Sequence, residues 1–315
     1  MNDPKVCIII LNWNGLEDTI ECLESLRKIT YPNYDVTVVD NGSRGNDPQV
    51  MQEKFGDYIH LIKNDKNDGY AGGNNIGITS ALANSQPDYI LLLNNDTVVA
   101  PGFLTEMVKV AEGDDSIGIV GPKVYYYDFP NILQGVGCRI GMRRGISTSI
   151  GNKEIDHGQY DTVREIDYVM GCCLLIKREV LGKVGMFDES YFCYWDETDY
   201  CVRARKTGYK VIYVPKAKIW HKKGLKAKVW AKIPMEQQAT ASSFYYWARN
   251  NFRFMRKHAS KSQYCSFLVY YFGFQFWFTS AVCLLHHHSL SQFAAFLRGA
   301  KDGLFNREAN AKFKD

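Results

Sequence analysis

The sequence carries little net charge and contains no Cys-x-x-Cys pair. Its formal charge is +4 over 315 residues, and so small an excess argues against a nucleic-acid-binding protein that depends on bulk electrostatics. Nine cysteines occur at irregular spacings, and an odd number in a chain of this size favours reduced thiols in a reducing compartment. The apolar run at residues 6–11 is too short for the core of a signal peptide, so we do not expect secretion.

What the sequence does contain is an alternation of strand-like and helix-like segments. Hydrophobic residues make up 46% of the chain and charged residues 23%, which is enough for at least one full-sized core. Short aliphatic runs predict buried strands at residues 6–11, 36–39, 59–62 and 89–93. Helical spacing predicts helices at residues 16–26, 69–83 and 101–112. This alternation indicates an α/β fold with a mostly parallel central sheet.

The pattern weakens in the middle of the chain and returns after it. Residues 125–165 are rich in glycine and charge, and we interpret them as an insertion or a pair of irregular strands. Beyond them, the sequence predicts a strand at 168–177 broken by Gly171, helices at 178–184 and 195–206, and a last strand at 210–214. Gly208 provides a natural end for the second of these helices.

Polar residues follow three of the predicted strands. They form the sequences Asn12-Trp13-Asn14-Gly15, Asp40-Asn41-Gly42-Ser43 and Asn94-Asn95-Asp96. Open α/β sheets bind ligands at the carboxyl ends of their strands, so these side chains are expected on one rim. Asp96 is a candidate ligand for Mg²⁺ or Mn²⁺, which accept few protein carboxylates and fill the remaining positions with phosphate oxygens and water. The alternative is an Asx turn that closes the strand.

A glycine-rich segment follows the third strand. It contains Gly72 and Gly73, and such a pair before a helix lets backbone approach an anionic ligand at the helix N-terminus. It is equally compatible with an ordinary glycine-rich turn. Asp40, at the end of the second strand, can accept hydrogen bonds from a base or a ribose hydroxyl, or it can close a turn.

Three acids begin a predicted helix directly after an aromatic segment. Asp196, Glu197 and Asp199 suit a capped, solvated helix start. The aromatic residues of 185–195 suit a solvated loop poorly, and a carboxylate beside them is partly desolvated, which raises its pKa and favours general-base chemistry on a hydroxyl. His221, after the last strand, can join a metal, contact a diphosphate or serve packing alone.

The ordered set of these segments, at residues 10–15, 38–43, 69–75, 94–96, 185–189 and 196–199 together with His221, resembles the family 2 glycosyltransferases. It is most similar to their rhamnosyltransferase-like branch. No single motif carries the resemblance, which extends over roughly residues 6–223. The resemblance implies a GT-A fold, an inverting single displacement and a divalent metal that bridges the donor diphosphate.

The resemblance also implies roles for individual residues. Glu197 occupies the position of the catalytic base, with Asp196 as contender, because the family's Glu-Asp pair appears here in reversed order. Asp96 matches the last acid of the DxD metal motif, Asn94 replaces the first acid, and metal binding therefore depends more on His221. The nucleotide-sugar site would comprise Asp40 against the nucleoside, with Asn12, Asn14, Asn41, Gly72, Gly73, Asn75, Asn95 and Gly171.

The C-terminal part of the sequence indicates contact with a membrane. Residues 262–297 contain no Asp, Glu, Lys or Arg, and basic residues lie on both sides. We favour interfacial or re-entrant helices, followed by a single span and then by an oligomer interface. The expected division is a catalytic domain at 1–233 and a membrane-associating helical region at 234–315. A lysine cluster between residues 216 and 232 would suit an acceptor that carries a diphosphate.

The expected activity is sugar transfer from dTDP-rhamnose or a UDP-sugar to a glycan or lipid-linked acceptor, in cell-surface polysaccharide synthesis at the cytoplasmic face of the membrane. Two alternatives stay open. A sugar-phosphate nucleotidyltransferase would share the sheet and the metal, but the first strand is not followed by the expected glycine- and arginine-rich loop. A non-catalytic protein that binds nucleotide sugars is the other alternative. No nucleic-acid partner is expected.

Overall fold

The computed structural model describes residues 3–222 and 240–309. The strands are β1 (Val6–Asn12), β2 (Tyr34–Asn41), β3 (His60–Asn64), β4 (Tyr89–Asn94), β5 (Thr97–Val99), β6 (Ile117–Tyr126), β7 (Phe129–Gly135), β8 (Cys138–Gly141), β9 (Ile146–Ser149), β10 (Arg164–Glu165), β11 (Cys173–Lys177) and β12 (Lys210–His221). The helices are α1 (Leu16–Leu26), α2 (Asp47–Phe55), α3 (Gly69–Asn84), α4 (Phe103–Ala111), α5 (Arg178–Val184), α6 (Asp196–Lys206), α7 (Ala241–His258), α8 (Lys261–Tyr270), α9 (Phe276–Ala281) and α10 (Leu290–Leu304).

A ten-stranded mixed sheet forms the centre of the molecule. Its order is β10-β12-β6-β11-β4-β1-β2-β3, with β5 paired to β12 and β7 paired to β6. Strands β4, β1, β2 and β3 are parallel, and so are β12 and β6. Strand β11 lies antiparallel between β4 and β6. The four strands predicted from aliphatic runs are confirmed. Strands β1, β2 and β4 are largely buried because helices cover the sheet, whereas β3 at the sheet edge is partly exposed.

The middle of the chain is more regular than its sequence predicts. Strand β6 is buried along all of its length. Residues 125–165 contain four further strands rather than a loose insertion: β7 and β10 pair with the central sheet, and β8 and β9 form a separate two-stranded sheet. Strand β11 begins at Cys173, because residues 169–172 turn at the predicted break. Strand β12 runs seven residues past its predicted end at 214, to His221, since it also pairs with β5.

Helix α3 lies against the sheet at unusually close range. A Cβ at Gly73 would come within 2.4 Å of Leu11 Cδ1, and one at Gly77 within 2.5 Å of Ile9 Cγ2. These glycines are four positions apart and therefore face the same way. The glycine pair Gly72-Gly73 was expected before the helix, and this expectation is wrong: both residues lie inside α3, where Gly73 permits packing on β1.

The C-terminal helices pack on one another and on the first part of the chain. Helices α7 and α10 cross closely, since a Cβ at Gly299 would lie 2.2 Å from the carbonyl oxygen of Tyr245. A continuous helix, Lys261–His286, combines α8, α9 and two π-helical segments. Aromatic residues of α7 and α8 share a core cluster with Tyr191 and Trp195. The predicted domain boundary at 233/234 and the lysines at 223, 226, 228 and 232 lie outside the described residues.

Candidate active site

A hydrogen-bond network joins the carboxyl ends of β1, β2 and β4. Asn12 is fully buried, and its Nδ2 lies 2.8 Å from Asp40 Oδ1 and 3.1 Å from Asp47 Oδ2. Its Oδ1 accepts from the Thr19 hydroxyl at 2.8 Å. The Asn95 amide donates to the same hydroxyl at 2.9 Å. Asn12 therefore uses its polar atoms inside the protein and positions Asp40.

Two further asparagines of the predicted set shape the neighbouring loops. Asn14, in a left-handed conformation with φ 52°, accepts from the Arg44 backbone at 2.8 Å and donates its own N–H to Ser43 Oγ at 2.9 Å. Asn41 is buried and donates to the carbonyl of Gly69 at 3.1 Å. The structure thus brings Asn12, Asn14, Asp40, Asn41 and Asn95 to one rim.

Asn75 lies farther along α3 and contacts a different segment. Its side chain accepts from the backbone N–H of Phe187 at 3.0 Å and donates to Glu189 Oε1 at 2.9 Å. Gly72 faces the same segment, since a Cβ there would lie 3.9 Å from Cδ of Glu189. Asn75 therefore attaches the segment before α6 to helix α3.

Asp96 and His221 meet although 125 positions separate them in sequence. Pairing of β12 with β5 sets His221 opposite Thr97, which places His221 Nε2 3.1 Å from Asp96 Oδ1. On its other side, His221 Nδ1 lies 2.7 Å from Oε1 of the buried Gln134. An amide oxygen can only accept, so His221 Nδ1 donates to Gln134. In the neutral imidazole the Nε2 lone pair then faces Asp96, which is the arrangement that a metal shared by the two residues would need.

This pair fits a divalent metal when a ligand completes the coordination. Within residues 3–222 and 240–309 no cluster of three or more His, Cys, Asp or Glu side chains is placed to hold an ion. One carboxylate and one imidazole suit a metal that takes its other ligands from a diphosphate and water. Lys222, next in sequence, is held by Asp18 at 2.6 Å and Glu21 at 2.5 Å.

The acidic pair at the start of α6 contains one buried and one accessible carboxyl. Asp196 is buried, and burial together with the adjacent Glu197 raises the pKa of Asp196 well above its usual value. Glu197 is only partly buried. A Cβ at Gly171 would lie 3.3 Å from Cδ of Glu197, so the Glu197 carboxyl group packs on the backbone there. A substrate hydroxyl can therefore approach Glu197 more readily than Asp196.

Gly171 connects this carboxyl group to the part of the rim that contains Asp96. Its carbonyl accepts from the Tyr70 hydroxyl at 2.6 Å; burial, with Asp196 and Glu197, raises the pKa of Tyr70 well above its usual value, which keeps that hydroxyl protonated. The next residue, Cys172, accepts at its carbonyl from the Asn94 N–H at 3.0 Å. Asp96 follows Asn94 by two positions. The base candidate and the metal candidate thus lie on adjoining strand ends.

Asp199 connects helix α6 to helix α7. It is fully buried and lies 2.7 Å from His258 Nε2, 2.8 Å from Lys257 Nζ and 2.7 Å from Arg203 Nε. Burial alone would raise the pKa of Asp199, but these three groups hold it below its usual range. Asp199 is therefore a structural anion, and two of its partners belong to α7.

The segment before α6 contains three residues with positive φ, none of which is glycine. Phe192, Tyr194 and Trp195 have φ of 65°, 64° and 70°. Trp195 is left-handed helical, whereas Phe192, with ψ −60°, forms a tight turn, and such conformations cost roughly 1–3 kcal/mol for each residue with a Cβ. Strain of this kind persists only where surrounding contacts fix it, and it clusters at functional sites.

Several contributors to the site were not among the residues predicted from sequence. Ser43 lay within a quoted motif, and Thr19 lies one helical turn into α1, so both were within reach of pattern analysis. Gln134 and the α7 residues that contact the loop carry no local sequence signal, because only tertiary packing brings them to the site.

Comparison with known proteins identifies relatives of this chain. It is 25% identical over 310 residues to the low-salt glycan biosynthesis hexosyltransferase Agl10 of Haloferax volcanii, covering 95% of this chain and 91% of that protein. It is 27% identical over 266 residues to the dTDP-rhamnosyl transferase RfbF of Shigella flexneri, covering 81% of each. An uncharacterized protein of Sinorhizobium fredii, y4gI, is 31% identical over 69% of this chain, which spans 24% of that protein's length.

Solved structures show the same architecture. The mannosyltransferase PcManGT from Pyrobaculum calidifontis, in complex with GDP-Man and Mn²⁺, superposes with a TM-score of 0.59 at 16% identity, covering 98% of this chain and 89% of that one. This likeness establishes the GT-A fold. The sequence pattern described as glycosyl transferase family 2 matches residues 7–185. This match covers more than half of the 315 residues, and the chain therefore belongs to glycosyl transferase family 2 and is a glycosyltransferase.

Proposed function

We propose that this enzyme transfers a sugar, with inversion, from a nucleotide diphosphate sugar to a hydroxyl group of a glycan or lipid-linked acceptor. The observation that carries the proposal is the adjacency of two different groups on one rim. Asp96 and His221, 3.1 Å apart, are the residues that we propose to bind the metal, and the partly buried Glu197 packs on Gly171 at the neighbouring strand end. A single displacement needs these two elements, one on each side of the anomeric carbon.

Each group has a defined task in the displacement. Glu197 takes the proton from the acceptor hydroxyl. At the same time the acceptor oxygen bonds to the anomeric carbon, and the bond between that carbon and the donor phosphate oxygen breaks. Burial and the adjacent Glu197 raise the pKa of Asp196 well above its usual value, which disfavours a second negative charge beside Glu197. Asp96 and His221 would hold Mg²⁺ or Mn²⁺, which when bound offsets charge on the leaving diphosphate.

The nucleotide part of the donor is assigned to the strand-end network. Asp40, held by Asn12 and Ser43, is positioned to accept hydrogen bonds from the nucleoside, and Asn14 and Arg44 border it. One relative is named a dTDP-rhamnosyl transferase, and a solved structure of similar fold, GalNAc-T7, contains UDP, GalNAc and Mn²⁺. We therefore include dTDP-rhamnose and UDP-sugars as donor candidates for this chain.

A donor screen tests this proposal. Full-length protein with Mn²⁺ and lipid-linked acceptors is assayed for nucleoside diphosphate release from dTDP-, UDP- and GDP-sugars. We expect release from one donor class that depends on the acceptor and is accompanied by a product of inverted anomeric configuration. Retention of configuration, or binding of every donor without any turnover, would contradict the proposal.

We further propose that the helix Lys261–His286 lies in the plane of a membrane at its cytoplasmic face. The helix is long and apolar enough to cross a bilayer, but Phe267, Tyr271 and Cys283 are buried against the protein along its length. Its opposite side leaves Val269 76%, Trp277 66% and Leu285 73% exposed. A helix with one face on protein and an aromatic face outward suits interfacial docking.

Basic residues border this apolar face and suit anionic lipid headgroups. Lys261 and Arg298 lie exposed at the two ends of the uncharged segment, and the Arg144 guanidinium lies 5.5 Å from the Tyr270 ring. Flotation with phosphatidylglycerol vesicles tests the docking. Phe274→Ser with Trp277→Ser should reduce the bound fraction, whereas Ile155→Ser with Val163→Ser, equally exposed elsewhere, should not. Equal binding of both double variants would refute the assignment.

A further inference from the structure

The strained loop before α6 is held by one fully buried side chain of α7. Asn250 Nδ2 lies 2.8 Å from the carbonyl oxygen of Tyr191, 2.8 Å from that of Cys193 and 3.0 Å from that of Tyr194. An amide group has two hydrogens, so the three carbonyls share them. These three carbonyl oxygens face one amide because Phe192 and Tyr194, which have positive φ, turn the backbone of the loop.

A buried arginine fixes the orientation of that amide. Arg249 Nη1 donates to Asn250 Oδ1 at 2.8 Å and to the carbonyl of Ser190 at 2.8 Å. Because the Oδ1 atom accepts from Arg249, the amino group must face the loop. Arg249 is 1% exposed and Asn250 is fully buried, which leaves neither side chain free to reorient toward solvent.

The other side of the loop is hydrogen-bonded to α3, on the side of the site proposed for the nucleotide-sugar donor. The carbonyl of Phe192 accepts from the backbone N–H of Tyr70 at 2.6 Å, at the start of α3. The loop is thus hydrogen-bonded to α3 on one side and to α7 on the other. Its last residue, Trp195, is the N-cap of α6 and directly precedes Asp196 and Glu197. The direction in which α6 begins is set by these attachments.

We infer that Asn250, oriented by Arg249, is a positioning residue for glycosyl transfer that holds the loop so that Glu197 faces the acceptor hydroxyl. This inference rests on the proposed role of Glu197 as base. It extends the active site to α7, which lies beyond the part of the sequence that matches the family, residues 7–185. Asn250 does not touch the substrate and acts through the loop backbone.

The adjacent asparagine provides a matched control. Asn251 is also fully buried, and its Nδ2 donates to the carbonyl of Gly145 at 3.0 Å, on the turn between β8 and β9. Asn250→Ala and Asn251→Ala each remove a buried amide from the same helix. If Asn250 only stabilised the fold, the two variants would lose activity in proportion to their loss of stability.

The test measures kcat, donor KM and thermal midpoint for both variants in the full-length chain. We expect Asn250→Ala to lower kcat about 10- to 100-fold, as displacement of a reacting group by about 1 Å does, with donor KM within about twofold of wild type. Asn251→Ala should keep kcat. Asn250→Asp, which retains the shape but not the donors, is measured alongside. Wild-type kcat in either folded Asn250 variant, or equal kcat losses at both positions, would overturn the inference.

A double variant separates this inference from the proposed base. In a Glu197→Gln background, Asn250→Ala should cause little further loss, since Asn250 acts through Glu197. Additive losses would overturn the inference even if the base is correct. A fully active Glu197→Gln protein would instead refute the base assignment, whatever Asn250→Ala does.

Discussion

Replacing Gln134 by leucine would remove the hydrogen-bond acceptor that faces His221 and leave the volume of the side chain nearly unchanged. The Oε1 atom of Gln134 lies 2.7 Å from His221 Nδ1, and Gln134 is 7% exposed, so water does not readily replace it. Without this acceptor, the imidazole loses the partner that keeps its Nε2 lone pair toward Asp96, 3.1 Å away. Removal of a hydrogen-bond partner behind a metal ligand typically lowers metal affinity about 10- to 100-fold, which corresponds to roughly 1.4–2.7 kcal/mol.

The assay is titration of Mn²⁺, followed by electron paramagnetic resonance, with UDP or dTDP present. Gln134→Leu should raise the Mn²⁺ dissociation constant about 10- to 100-fold. Gln134→Glu, which keeps an acceptor oxygen facing Nδ1, should bind Mn²⁺ at least as tightly as wild type. If Gln134→Leu binds Mn²⁺ with wild-type affinity, His221 is not oriented by Gln134 and the proposed metal pair is incorrect.

Three further predictions follow from the site. Chelation by EDTA should abolish sugar transfer and Mn²⁺ or Mg²⁺ should restore it; full activity in the chelator would exclude a metal requirement. Asn12→Ala should lower the thermal midpoint by at least about 5 °C, because Asp40 and Asp47 both lose a buried donor at about 1.5–3 kcal/mol each, and an unchanged midpoint would contradict the network. Asp199→Asn should be less stable than wild type at pH 7. The pKa of Asp199 is lowered on folding, so the stabilisation that it provides exists above its unfolded pKa of about 3.9 and is lost as the pH falls. Urea denaturation should therefore show a smaller difference in the free energy of unfolding between wild type and Asp199→Asn at pH 3 than at pH 7. An equal difference at both pH values would refute the role of Asp199 as a stabilising anion.

The parts of the fold that were predictable are those with local signals. Strands β1 to β4 each contain a short run of mostly aliphatic residues, and α5 and α6 have recognisable ends. Polar residues directly after these strands identified the rim, because parallel strands bring their carboxyl ends together. Asp96 was placed there by this reasoning alone.

Strand β6 lacks such a signal for a physical reason. It contains Gly118, Gly121, Pro122 and Lys123, which are residues that disfavour strands when considered in isolation. In the folded protein, the glycines make room for Tyr209 and Val169. The buried Lys123 ammonium lies 2.9 Å from Asp156 and 2.6 Å from Asp161. These compensations come from distant segments and cannot be read locally.

The candidate site likewise contains residues that the sequence predicts and residues that it does not. Asn12, Asp40 and Glu197 lie in motifs that sequence order identifies. Gln134 lies 87 positions from His221, and Asn250 lies 56 to 59 positions from the carbonyl groups that it contacts, so no spacing rule links them. The pairing of His221 with Asp96 needed the register of β12 against β5.

Glu197 is proposed to remove the proton from the acceptor during sugar transfer, and replacing it by glutamine tests that role. Wild-type protein and Glu197→Gln are assayed with the same donor, acceptor and Mn²⁺, and donor binding is measured for both by calorimetry. We predict that the variant binds donor with wild-type affinity and loses about 10²- to 10⁴-fold in kcat, the usual contribution of a general base. Wild-type turnover by Glu197→Gln would contradict it.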